Sequence, residues 1–199
     1  MSSEEAVRLL KEGNARFKGG NMTGPDRGTA RRLSTYEKGQ SPFAVVVACS
    51  DSRVPVEVLF DRGIGDIFVV RVAGNTCGVS ETASIEYAVA HLETPVVVIL
   101  GHSRCGAVTA VAESSGSEDK ANHFVQSIGA AVDRAAKGNP RLSGQDLAEA
   151  AAIENVLHQM DRLLENSPVV KGAVDQGNLT LVGAFYDIKE GNVKWLDRA

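Results

Sequence analysis

The sequence predicts an α/β fold: a mostly parallel central sheet, an antiparallel edge strand from a C-terminal hairpin, flanking helices and an N-terminal helical arm. Three observations predict it. Residues 43–49 are a continuous apolar, β-branched-rich run, the pattern of a strand buried on both faces, and residues 67–72, interrupted only by Arg71, and 95–100 read as two further strands. Residues 80–92, between the second and third runs, open on a Ser and continue in good helix formers, and strand-helix-strand argues for parallel pairing. Finally, residues 179–186 and 193–196 flank the turn Lys189-Glu190-Gly191-Asn192, which reads as a hairpin.

The remaining elements follow in order. Val7, Leu10 and Phe17 recur at helical spacing among charges, so residues 4–17 form an amphipathic helix, followed by a Gly-, Asn- and Pro-containing loop over 18–28. A second break over 38–42 precedes the first strand, and Pro95 stands first in the third, where a missing N–H matters least. Beyond that strand, residues 104–113 read as helix, 114–120 as polar loop, 122–137 as helix and 138–144 as a break. Leu147, Ile153, Val156, Leu157, Met160 and Leu164 then mark a helical stripe over 145–164. At roughly 150 residues per domain, 199 residues favour one domain, with a helical arm over 1–38, its first helix followed by a long loop before the first strand, and a core over 40–199.

Composition excludes several classes of function. Apolar residues make up 43%, so the chain is not disordered, and a net charge of −4 without a basic cluster gives no surface for nucleic acid or anionic membrane. No apolar stretch reaches the roughly 18 residues of a membrane span, and the Met1-Ser2-Ser3-Glu4-Glu5 start is unlike a signal peptide, so a cytoplasmic location is expected. Three cysteines, an odd and sparse set, suit a reducing compartment in which thiols act as ligands or nucleophiles.

Chemistry concentrates in two segments that follow predicted strands, Cys49-Ser50-Asp51-Ser52-Arg53 and Gly101-His102-Ser103-Arg104-Cys105-Gly106. The carboxyl ends of strands in open α/β sheets are where ligands sit, so these segments should converge. Cys49, His102 and Cys105 then form a Cys₂His set, which suits a catalytic zinc with its fourth position free. Taken singly, each could be an inert buried cysteine or a hydrogen-bonded loop histidine. Asp51 and Arg53 could likewise be an ordinary surface pair. Beside a metal, however, Arg53 can hold the Asp51 carboxylate as an acceptor aimed at the open coordination position, where it would accept a hydrogen bond from zinc-bound water or hydroxide.

In these two segments the chain resembles the β-class carbonic anhydrases, whose Cys-Ser-Asp-Ser-Arg and Gly-His-x-x-Cys-Gly motifs stand here as residues 49–53 and 101–106. The resemblance spans about residues 40–106, with weaker similarity in the first helix and the final hairpin. It implies Zn²⁺ held by Cys49, His102 and Cys105, a catalytic dyad of Asp51 and Arg53, and reversible hydration of carbon dioxide to bicarbonate and a proton through zinc-bound hydroxide. It also implies a substrate pocket at a dimer interface, with Gln40, Phe68, Ala73 and Tyr87 at matching positions and the Gly106 backbone N–H nearby. The expected assembly is a homodimer or dimer of dimers, and the expected partners are carbon dioxide and bicarbonate. One departure bears on regulation. Some family members have a bicarbonate switch built on a Trp three residues before the first zinc Cys; here that position is Val46, although Arg71 matches the family's Arg. An open metal position without that switch is therefore expected.

His91, His123 and His158 lie outside the motifs and read as surface or structural residues, and Cys77 has no ligand role. A thiol-nucleophile phosphatase would need Arg six residues after Cys49, where Pro55 stands, and no His-x-Glu with Pro-Cys-x-x-Cys marks a zinc deaminase. Gly63-Ile64-Gly65 has Phe68 where a dinucleotide loop needs its third Gly. Two readings remain beside carbon dioxide hydration: hydrolysis of carbonyl sulfide or carbon disulfide at the same zinc, and a non-catalytic zinc protein. Loss of Asp51 or Arg53 would have marked the latter.

Overall fold

The protein is described by a computed structural model over residues 1–114 and 123–196. The apolar runs become β1 (Ala44–Ala48), β2 (Ile67–Arg71) and β3 (Val96–His102), and the hairpin becomes β4 (Thr180–Asp187) and β5 (Asn192–Leu196). They form one five-stranded sheet in the order β2-β1-β3-β4-β5. β1 pairs in parallel with β2 and β3, β3 pairs in parallel with β4, and β5 is antiparallel to β4. Every residue of β1 and β3 is buried, so neither strand needs the polar alternation of a one-sided sheet.

The helices among the described residues are α1 (Ser3–Lys18), α2 (Thr29–Lys38), α3 (Val56–Leu59) and α4 (Val79–His91) in the first half. α5 (Gly106–Glu113), α6 (His123–Gly138), α7 (Gly144–Asn166) and α8 (Pro168–Asp175) follow. Side chains of alternate strand residues go to opposite faces. Val46, Ala48, Val98 and Leu100 pack with Ala6 and Leu10 of α1 and Leu59 of α3. Val45, Val47, Val97 and Ile99 pack with Ile85 of α4, Val156 and Met160 of α7 and Val170 of α8. Helices on both faces of a mostly parallel sheet are the expected architecture, and no helix among the described residues is long and apolar enough to cross a membrane.

Four details differ from the sequence reading. The long loop expected before β1 contains α2, which buries no residue of its own chain and so shows no core-facing stripe. Instead Arg31 fixes it from one side, Nε donating to the Ile64 carbonyl (2.8 Å) and Nη2 to Asp66 Oδ1 (3.0 Å). β3 runs two residues beyond 100, through a glycine. A Cβ on Gly101 would come within 2.5 Å of Val156 Cγ2, so this glycine lets α7 lie against the strand and is no stop signal. α5 starts at Gly106 and not at 104, because Arg104 has φ 56° and Cys105 is the extended N-cap residue. α8 is an additional short helix with Pro168 in its first turn and the Ser167 hydroxyl accepting from Val170 N (3.1 Å). The polar loop expected over 114–120 lies, beyond residue 114, outside the described residues.

One buried carboxylate ties the N-terminal segment to the core. Asp61, fully buried, accepts from Arg16 Nε (2.6 Å), from the Thr23 N–H and hydroxyl (3.0 Å each) and from the Gly24 N–H (2.9 Å), with Arg27 at 3.6 Å. Burial pushes this carboxyl up, but the Arg16 bond and the Thr23 and Gly24 donors outweigh it and hold it well below the ordinary 3.8. Its folded-state pKa being depressed, its contribution to stability is complete well above pH 3.8 and is withdrawn as pH falls below that value. Asp61→Ala is expected to cost roughly 3 kcal/mol in urea unfolding at pH 7, with the gap to the parent narrowing below pH 4. An unchanged gap between pH 7 and pH 3 would contradict this assignment.

Candidate metal centre

The winding of the sheet reverses between β1 and β3. The chain leaves β1 for β2 on one side, then crosses back over β1 to reach β3 on the other, and parallel sheets open a crevice at the carboxyl ends of the strands where this happens. Cys49 directly follows β1, and His102 is the last residue of β3, paired with Tyr186 of β4. The short turn after His102 is pinned to β4: Ser103 N–H donates to the Tyr186 carbonyl (2.9 Å) and Ser103 Oγ accepts from Ile188 N–H (2.9 Å). This turn delivers Cys105 to the first position before α5. The ligand atoms of Cys49, His102 and Cys105 all lie within 4.8 Å of one another, and all three residues are at most 5% exposed.

The histidine shows which atom is available. A carbonyl only accepts, so His102 Nδ1, 2.9 Å from the Ser103 carbonyl, is the protonated donor, and Nε2 carries the lone pair. Nε2 is buried and has no hydrogen-bond partner. A fully buried lone pair facing two sulfurs costs stability unless something occupies the space, and a cation is what this donor set accepts.

The sulfurs are surrounded by N–H groups. Cys49 Sγ accepts from Gly74 N (3.3 Å) and Asp51 N (3.4 Å). A hydrogen bond from the Cys105 thiol is the main influence holding Cys49 well below an ordinary thiol, against the upward push of burial, with the two backbone donors helping. Cys105 is held high in turn by that same bond and by burial, while the Ala107 and Val108 N–H groups at the start of α5 pull the other way. A dication between the sulfurs would favour the thiolate form of both.

Gly74 owes its place to conformation. In a 3-10 turn at Ala73–Asn75 directly after β2, it has φ 73°, and a Cβ would meet Ile128 Cδ1 at 2.7 Å.

Asp51 and Arg53 form a fork. Arg53 Nε and Nη2 donate to Asp51 Oδ1 (2.9 Å) and Oδ2 (2.7 Å), the Arg53 N–H also donates to Oδ1 (3.0 Å), and Nη2 reaches the Arg104 carbonyl (3.1 Å). The guanidinium holds the Asp51 carboxyl well below the usual carboxylate range despite partial burial. With two donors on Oδ1 and one on Oδ2, the free acceptor capacity lies on Oδ2.

Two further residues hold the loops of the centre: Arg71, which the resemblance singles out, and Glu149, which carries no readable signal in the sequence. Arg71, at the end of β2, donates from Nε to the Cys49 carbonyl (3.1 Å) and from Nη2 to the Asp51 carbonyl (2.6 Å), clamping the loop that carries both. Glu149 of α7 accepts from Arg104 N–H (3.1 Å), holding the turn before Cys105. Their neighbours in sequence are unremarkable, and only the packing of α7 beneath the sheet brings Glu149 here.

The remaining expected site residues divide into two groups. Ala73 and Gly106 stand beside the ligands, in the 3-10 turn and at the first residue of α5, with open space at the Gly106 Cα. Phe68 and Tyr87 do not. Phe68 pairs with Val45 near the start of β2, three residues before Arg71, which places it about 10 Å down the strand from the metal-facing end. It contacts Tyr87 (ring centroids 6.2 Å apart), and Tyr87 is half exposed. Gln40 is exposed in the loop between α2 and β1. His91 is exposed beside the Tyr87 ring, Cys77 is a buried thiol pushed up to about 12 by burial, and the His123 side chain lies outside the described residues.

Comparison with known proteins gives the family. Residues 44–193 match the family model described as carbonic anhydrase. The carbonic anhydrase of Mycolicibacterium smegmatis is 37% identical over 191 residues, covering 95% of this chain and 91% of that one. Carbonic anhydrase 2 of Mycobacterium tuberculosis is 35% identical over 188 residues, covering 94% and 89%. Among solved structures, the β-carbonic anhydrase CcaA superposes with a TM-score of 0.76 at 30% identity over 96% of this chain and 95% of that one. A β-carbonic anhydrase of Sordaria macrospora, described as tetrameric, superposes with 0.74 at 27% identity over 84% and 87%. With a matching sheet, a matching family model and a buried Cys-His-Cys cluster at the strand ends, the chain belongs to the carbonic anhydrase family, as a lyase of its β class.

Proposed function

We propose that the chain catalyses reversible hydration of carbon dioxide to bicarbonate and a proton, with Zn²⁺ held by Cys49, His102 and Cys105. The observation that carries this reading is the buried, partnerless His102 Nε2 beside two sulfurs and within one loop of the Asp51–Arg53 fork. Two thiolates and an imidazole form a donor set suited to zinc, and three protein ligands leave one position for water or substrate. When bound, the ion supplies the positive charge that acidifies a water near neutral pH.

The chain's own residues orient and select. Asp51 stays ionised, so Oδ2 can only accept, and a hydrogen bond from the O–H of the attacking oxygen turns that oxygen's remaining lone pair toward carbon. In the reverse direction the same atom accepts a hydrogen bond from the hydroxyl of bicarbonate, whose proton stays on that oxygen. Arg53 occupies the other acceptor positions and keeps the carboxylate from turning toward the metal. Arg71 is taken up by two backbone carbonyls and Val46 is buried in β1, which favours an open metal position without the Trp-dependent bicarbonate switch.

Gly106 N–H and Ala73 line the substrate side from this chain, while Gln40, Phe68 and Tyr87 are supplied by a second copy. Their position away from the metal in their own chain, on the β2 edge and at an exposed aromatic, supports that assignment, as does α2 with Leu33 and Tyr36 exposed. The working unit is thus a dimer or a dimer of dimers, and three free cysteines fit a reducing cytoplasm.

Stopped-flow hydration of carbon dioxide on metal-quantified protein tests the reading. Zinc at one per chain with turnover that disappears in Cys49→Ser is expected, whereas zinc without hydration would move the assignment to carbonyl sulfide, carbon disulfide or a non-catalytic role. Asp51→Ala should retain zinc and lose about 100-fold or more in turnover; turnover within twofold of the parent would remove Asp51 from the mechanism. Light scattering with activity measured on the same diluted samples should show activity falling as the dimer dissociates, and a fully active monomer would remove Gln40, Phe68 and Tyr87 from the pocket.

A further inference from the structure

We infer that Asn155, held by Gln159, is a positioning residue for the Cys49 sulfur, acting through the Gly74 peptide. This rests on the metal reading above. Asn155 and Gln159 lie one turn apart on α7, and both are completely buried although neither contacts a ligand atom. Their hydrogen bonds leave no freedom in how either amide is oriented. Gln159 Oε1 accepts from Cys77 N–H (2.9 Å), so its Nε2 is the donor, reaching both the Ser127 carbonyl (2.9 Å) and Asn155 Oδ1 (2.9 Å). Asn155 Oδ1 being an acceptor, Nδ2 donates to the Gly74 carbonyl (2.8 Å). The 3-10 turn is thereby held at Gly74 and again at Cys77.

The turn needs such an anchor. Gly74 has φ 73°, a conformation its missing side chain makes accessible but does nothing to enforce. Its N–H is one of the two backbone donors to Cys49 Sγ, and that donor points at the sulfur only while the turn keeps its shape. Asn155 fixes the carbonyl of the same residue, and Gln159 fixes Asn155. Two buried amides would each cost free energy if left unpaired, and with the oxygen and the nitrogen of each amide partnered the pair behaves as a rigid unit.

The same helix touches the neighbours of the other two ligands. Val156 packs against Gly101, which precedes His102, and Glu149 accepts from the N–H of Arg104, which precedes Cys105. α7 is thus the common support on which the three ligands are registered, and Asn155 is its contact to Cys49.

Asn155→Leu removes the donor and the acceptor at similar volume, and Gln159→Met removes only the outer amide, so a folding failure in one leaves the other as the test. Each is compared with the parent by zinc affinity in chelator competition, by the sulfur-to-cobalt charge-transfer band of the Co²⁺ form, and by thermal melting of the metal-free protein. Asn155→Leu is expected to bind zinc about 10- to 100-fold more weakly with an altered charge-transfer band, and Gln159→Met should shift both in the same direction by less. Parental affinity and an unchanged band in whichever variants fold would overturn the inference, even if the metal-free melt falls, because a purely structural role moves only the melt. Parent protein that takes up neither zinc nor cobalt would overturn the metal reading itself, and the inference with it.

Discussion

The reversal of winding between β1 and β3 is the constraint on which the site depends. Four parallel strands end at one edge of the sheet, and because the chain leaves β1 toward β2 and returns across it to β3, the connections diverge above the neighbouring ends of β1 and β3. Residues just past those two ends are brought together by topology alone. Cys49 and His102 occupy those places, and a three-residue turn tied to β4 adds Cys105. The geometry of the centre is therefore as rigid as the sheet, whose two central strands have no exposed residue.

Burying sulfur anions and an imidazole lone pair at the end of an apolar sheet is costly, and the surroundings offset that cost with backbone donors. Gly74 and Asp51 supply N–H groups to one sulfur, and the first turn of α5 supplies them to the other. Neutral dipoles stabilise the thiolates without adding charge that would compete with a cation. The Asp51–Arg53 fork follows a different logic. Its Arg side chain is half exposed, so the pair adds little stability, and its consequence is orientation: a bidentate guanidinium decides which carboxylate oxygen remains free.

The two N-terminal helices differ in what they cover within the chain. α1 belongs to its own core, with Ala6 and Leu10 buried and Asn14 bonding the Gly191 carbonyl (3.1 Å) and Val193 N–H (2.8 Å) of the hairpin. α2 buries nothing, and Phe68 near the start of β2 contacts Tyr87 of α4 about 10 Å from the strand end that carries the cysteine-histidine cluster. A single chain therefore completes the ligand set and the Asp51–Arg53 fork but not the whole expected pocket.

The sequence by itself determined the elements whose cause is local. The β-branched-rich runs at 43–49, 67–72 and 95–100 read as strands, and Lys189-Glu190-Gly191-Asn192 reads as the turn of a hairpin. Cys49, His102 and Cys105 were legible because ligand chemistry restricts residue type and their spacing repeats a specific motif. Tertiary structure decided whatever depends on surfaces meeting. Gly101 looks like a strand stop until Val156 is seen against it, and Leu33 and Tyr36 of α2 stay exposed because nothing in their own chain covers them. Asn155, Gln159 and Glu149 are ordinary polar residues of a long helix in the sequence. They acquire roles only when α7 is laid beneath the sheet, because hydrogen bonds between residues 45, 81 and 82 positions apart leave no periodicity or spacing in the chain to be read.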